Sequence, residues 1–121
     1  ELAENFVEAA FSVASGYEKA GELLEKCGSL DGILCATDTM AAGVMQYLRE
    51  HKIKVPGQIL VAGQGDSDMA KVIDPPLVTV HYAYEKSGEI GAQMLLGLLG
   101  LLGQGEAGVK EVKLGYEIIG W

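Results

Sequence analysis

Cysteine is scarce in this chain: Cys27 and Cys35 are the two among 121 residues, eight positions apart and with no histidine or further cysteine clustered beside them. That spacing matches no zinc pattern and gives no disulfide framework, so the thiols read as reduced and cytosolic. Positive charge is scarce as well. Nine Lys and Arg stand against 17 Asp and Glu, for a formal net charge of −8. A segment this acidic does not grip nucleic acid by itself, because phosphate binding needs clustered cations. The longest apolar run, "IGAQMLLGLLGLLG", is shorter than the ~20 residues a membrane span requires, so no membrane partner is expected. No Ser-His-Asp order, catalytic carboxylate pair or metal-ligand spacing stands out, and neither an enzyme nor a cofactor is expected. No signal peptide opens the chain, but the first residue is Glu1 and not methionine. The sequence reads as cut from something longer, which removes the weight from missing targeting signals.

What is present is apolar and alternating. An apolar content of 49% supplies a core and argues against disorder. "NFVEAAFS" (5–12) reads as a strand, and "SGYE" fits a capping box in which Ser15 and Glu18 open a helix. Tyr17, Ala20, Leu24 and Cys27 recur at helical spacing up to a stop at Gly28. "GILCA" (32–36) is a continuous apolar run of the kind buried in parallel sheets. A helix over 39–51, a strand "QILVAG", a turn "GQGDSD", a short helix over 67–73 and a strand "LVTVHYAY" follow. A helix from about 85 to 102 and a last strand, "VKEVKLGYEIIG", complete the order. Strand-helix alternation of this kind implies right-handed crossovers and an α/β fold with a parallel, doubly wound sheet.

Ligands of such sheets bind beyond the carboxyl ends of the strands. Those ends carry "FS" (11–12), "ATD" (36–38), "GQGDS" (63–67) and "HYAY" (81–84). Aromatics, hydroxyls and carboxylates aimed at one rim suit a polyhydroxylated ligand: polar groups bond its hydroxyls and a ring covers its apolar face. Each piece also has a plainer reading. In it, Thr37 or Asp38 serves solely as a helix cap, Asp66 and Asp68 as caps of the short helix, and His81, Tyr82 and Tyr84 as ordinary strand side chains. "GQGDSD" lacks the third glycine of a dinucleotide fingerprint, which weakens a nucleotide reading. The helix over 39–51 is apolar on two sides. Met40, Val44 and Tyr47 form one stripe and Ala41, Met45 and Leu48 another, so it needs two partners, one of them expected in a second subunit.

"GILCATDTMAAGVMQYLREHKIKVPGQILVAGQGDSD" followed by "PPLVTVHYAYEKSGEIGAQMLL" resembles the lactose/galactose-repressor family of bacterial transcription regulators over about residues 11–119. The resemblance implies a periplasmic-binding-protein-like effector domain of class I, with a sugar or sugar phosphate held between two α/β subdomains. It assigns about 1–80 and 109–121 to the C-terminal subdomain and the helix of about 85–102 to the N-terminal one. It implies a cytoplasmic homodimer that meets operator DNA through a helix-turn-helix upstream of this sequence. Effector contacts carry over to Phe11 (stacking), Thr37, Asp38, Gln64, Asp66 and Tyr82, and the dimer interface to Met40, Ala41, Val44, Met45 and Leu48. Two departures stand out: many members have Asn where Thr37 stands, and Tyr-Asp or Phe-Asp where this chain has Gln64-Gly65, its carboxylate coming one place later at Asp66. "FSVASGY" with "GQGDS" looks most like repressors of disaccharide operons, of the sucrose or trehalose type. The other reading of the same fold is a periplasmic sugar-binding protein for transport.

Overall fold

The computed structural model describes residues 4–100 and 111–120. Its elements are α1 (Val13–Cys27), β1 (Gly32–Leu34), α2 (Asp38–Glu50), β2 (Leu60–Ala62), α3 (Asp68–Val72), β3 (Thr79–Tyr82), α4 (Tyr84–Leu98) and β4 (Tyr116–Ile119). The chain divides into two compact units, one running up to His81 and resuming at Ile118, the other Tyr82–Glu117.

In the first unit, β1 and β2 pair in parallel with Ile33 opposite Val61. A parallel bridge from Ala62 to Val78 carries the sheet towards β3, reinforced by Gly63 N–H to Val78 O at 2.8 Å and Gly65 N–H to Val80 O at 2.9 Å. β3 in turn pairs with β4. The alternation expected from sequence therefore gives the α/β fold, although the ordered strands are only three or four residues long. Ile33 and Val61 are buried, whereas Leu34 and Leu60 point to the other face and are exposed.

The core is built around α2. Ala41, Val44, Met45 and Leu48 are all buried, with Ala20, Ile33, Cys35, Ile59, Val61, Ala70 and Leu77 around them and Met40 packed against the cluster. Helix α1 packs against α2 from within the chain, and Ala41, Val44, Met45 and Leu48 are buried in the resulting core.

Two glycines allow that contact. A Cβ on Gly43 would collide with the Val13 carbonyl oxygen and lie 2.6 Å from Tyr17 N, and one on Gly16 would collide with the Met40 carbonyl. Backbone therefore meets backbone at the crossing. Beyond it, Tyr17 and Tyr47 pack edge to face at 5.3 Å, and Tyr17 donates its hydroxyl to Glu50.

Local details correct the sequence reading in two places. Residues 5–12 form no strand; their amides and carbonyls find no ladder partner among the described residues, and Ala10 N–H is taken by the Ser15 hydroxyl. Helix α1 also begins earlier than the Ser15–Glu18 box implies. Ser12 is the cap, its hydroxyl accepting from Ser15 N–H at 3.1 Å, so Ser15 sits inside the first turn. The helix expected to 102 is followed to Leu98, and the last strand is confined to Tyr116–Ile119. Positions 101, 102 and 109–110 of those two expectations lie outside the described residues.

In the second unit, α4 exposes Leu95, Leu98 and Leu99. No helix among the described residues is long and apolar enough to cross a membrane.

Candidate functional site

The carboxyl ends of β1 and β2 converge on the first turn of α2. Thr37 is the cap: its backbone is extended and its hydroxyl accepts from Met40 N–H at 3.2 Å. This division of labour frees Asp38, the first helical residue, for something else. Its own N–H bonds Gln64 O at 3.1 Å, and its side chain turns inward until the residue is 2% exposed. One carboxylate oxygen, Oδ1, accepts from the Thr79 hydroxyl at 2.6 Å, and Oδ2 accepts from Ser67 N–H at 2.8 Å. A buried carboxylate is tolerated because both oxygens are bonded and the positive end of the helix dipole lies beside it. Gly63 makes room for it, since a Cβ there would run into Oδ1 and lie 3.0 Å from the Asp38 Cα.

Thr79 completes the arrangement. While donating to Asp38, its hydroxyl accepts from Asp66 N–H at 3.0 Å. Asp38 and Thr79 thus take two consecutive amides of the turn, those of Asp66 and Ser67. Held this way, Asp66 adopts φ +47°, a left-handed conformation that Asp tolerates better than most residues. Its carboxylate then lies 2.9 Å from His81 Nδ1.

The structure therefore joins Asp38 to Asp66 through Thr79 and to the Gln64 carbonyl through its own amide, with Thr37 next to it capping the helix. Phe11 lies just before the Ser12 cap and is 74% exposed. Tyr82 opens the second unit and packs edge-on against Tyr84 at 6.0 Å. Sequence reasoning overlooked Thr79 and the amide of Ser67. A signal for Thr79 exists in "LVTV": it shares a strand face with Leu77, and a hydroxyl at a core-facing position has to find a partner.

The remaining chemistry is sparse. No group of three or more metal-ligating side chains occurs among the described residues. Cys35 is buried behind the cluster, and burial, with the charge of Asp38, pushes its thiol up to about 11. It is a core residue and not a nucleophile at neutral pH.

A family model described as a periplasmic binding protein-like domain matches residues 2–119. Among curated relatives, the HTH-type transcriptional regulator GalR of Lacticaseibacillus casei is 39% identical over 88 residues, covering 71% of this chain and 27% of its own length. The HTH-type transcriptional regulator GntR of Escherichia coli K12 is 33% identical over 90 residues, covering 74% and 27%. The chain thus spans about a quarter of the length of these relatives. Among solved structures, a lac repressor dimer bound to operator and the anti-inducer ONPF superposes with a TM-score of 0.82 at 26% identity, covering 93% of this chain and 33% of that one. A complex of the transcriptional regulator CelR with cellobiose gives 0.79 at 26% identity, covering 92% and 33%.

Proposed function

Because this chain belongs to the periplasmic binding protein-like domain family, we propose that it is the effector-binding module of a bacterial transcriptional repressor of a sugar operon. The observation that supports this reading is the rim at the carboxyl ends of β1 and β2, where Asp38, the Gln64 carbonyl and Asp66 are linked by hydrogen bonds through Thr79 and Thr37 caps the helix beside them. Relatives named as HTH-type regulators favour a regulator over a transport receptor of the same fold.

In this reading Phe11 stacks on the sugar ring, and Thr37, Gln64 and Asp66 bond its hydroxyls. Asp38 acts mainly from beneath, holding the turn that presents Asp66. Tyr82 is a further effector contact by resemblance to the family. The wider assignment follows the same resemblance: residues 1–80 and 109–121 belong to the C-terminal subdomain, and 85–102 to the N-terminal one. The whole protein is a cytoplasmic homodimer whose operator contacts lie upstream of this sequence. Effector then acts by binding one subdomain arrangement more tightly than the other. The same resemblance assigns the dimer interface to Met40, Ala41, Val44, Met45 and Leu48. We take the effector to be a disaccharide of the sucrose or trehalose type.

The test is an induction assay with the full-length regulator and a panel of sucrose, trehalose, galactose, gluconate and ribose. Phe11→Ala should move the response to higher sugar concentration while leaving operator affinity in the absence of sugar unchanged. An overlay of the Phe11→Ala and parent curves removes the stacking role; no response to any sugar in the panel removes the sugar reading.

A further inference from the structure

Positive charge, short in the chain as a whole, is concentrated where α2 ends: Arg49, Lys52 and Lys54 fall within six residues. All three line one groove of about 580 Å³, together with Val55, Pro75 and Asp74. That volume lies in the range of small-molecule sites. Among the described residues none of the three cations is in an ion pair within 4.0 Å, Asp74 included. The neighbouring acid, Glu50, is already engaged by the Tyr17 hydroxyl and the Gln46 amide.

The backbone at Lys52 is the second observation. Helix α2 closes with Lys52 N–H on Arg49 O at 3.1 Å and Ile53 N–H on Leu48 O at 2.8 Å, the paired bonds of a Schellman motif. In that motif the residue at Lys52 is left-handed, and here φ is +58°. Glycine is the default at such a position because a Cβ is strained there. The chain instead keeps a lysine, at a cost in stability, on the lip of a groove that Arg49 and Lys54 also line.

We propose that this groove is a second ligand site, independent of the rim, and that it takes a phosphate ester. Arg49 offers the planar fork that matches a phosphate, and the two lysines add point charge. Val55 and Pro75 give an apolar wall for the organic part of the ligand.

Two-dimensional amide NMR at neutral pH in 0.15 M NaCl tests this on the chain itself, with glucose 6-phosphate, glucose and pyrophosphate as probes. Glucose 6-phosphate should shift the amides of Lys52, Ile53 and Lys54 saturably, and glucose should not. A matching response to pyrophosphate assigns recognition to phosphate alone, and a weaker one assigns a share to the apolar wall. Lys52→Gly is the decisive variant, because it relieves the left-handed strain. It should melt at a higher temperature than the parent yet bind about tenfold more weakly, the worth of one lost charge-assisted contact. Shifts confined to other parts of the chain, or Lys52→Gly binding as the parent does, overturn the proposal.

Discussion

Replacing Thr79 by valine keeps the shape of the side chain and removes only its hydroxyl. That hydroxyl is engaged twice, donating to Asp38 Oδ1 at 2.6 Å and accepting from Asp66 N–H at 3.0 Å. Thr79 is 1% exposed, so water does not replace either bond. A lost bond to a charged group costs about 1.5–3 kcal/mol, and an amide left unpaired about 1–3 kcal/mol. Thr79→Val should therefore destabilise by about 3–5 kcal/mol, a large share of the ~5–15 kcal/mol typical of a domain. Asp38→Ala strips the partners from Thr79 and from Ser67 N–H and should cost a similar amount. Their double mutant is the informative one. The two single changes both break the Asp38–Thr79 bond, so their sum counts it twice, and the pair should fall short of that sum by about 1–3 kcal/mol. Urea unfolding followed by circular dichroism measures all four proteins, with a constant m-value required for the comparison. Thr79→Ser restores the hydroxyl and should recover most of the loss. Additivity within about 0.5 kcal/mol would refute the reasoning, since it would mean that the two residues share no bond.

Gly43→Ala gains about 1 kcal/mol of helix propensity but drives a methyl into the backbone of Val13 and Tyr17, so net destabilisation of about 2 kcal/mol is expected in thermal melts. Gly88→Ala in α4 meets nothing within 4 Å and should stabilise its helix by about 0.5–1 kcal/mol. The Tyr17–Glu50 hydrogen bond lowers the Glu50 carboxyl and raises the Tyr17 phenol. Its contribution is therefore present between the ordinary carboxyl and phenol ranges. It fades as pH falls through the lowered Glu50 value and again as pH rises through the raised Tyr17 value. Stability–pH profiles of Tyr17→Phe should lose the alkaline limb and show a weaker acid limb, because the Gln46 amide still lowers the Glu50 carboxyl. With the Cys35 thiol at about 11 and buried, iodoacetamide at pH 8 should label Cys27 alone in the folded protein; equal labelling of both would contradict the burial.

The elements that were legible in the sequence are those set by local pattern. The helix after Thr37 was readable from its two apolar stripes and its cap, and the parallel strands from the runs "GILCA" and "QILVAG". The rim followed from topology alone, because strand ends must meet where a parallel sheet turns into its helices. What stayed hidden depends on contacts distant in sequence. Asp38 and Thr79 are 41 positions apart, and no periodicity links them. The stripe of Ala41, Met45 and Leu48 announced a partner without identifying it, since a helix from the same chain and one from a second subunit bury it equally well. Residues 5–12 show the opposite failure: strand-like composition without a ladder partner among the described residues.

The crossing of α1 over α2 has a mechanical consequence. Where helices touch through side chains, rotamer changes let one slide over the other; where backbone touches backbone at Gly16 and Gly43, no such cushion exists. The two helices are therefore locked in register at this crossing and move together as one stiff pair.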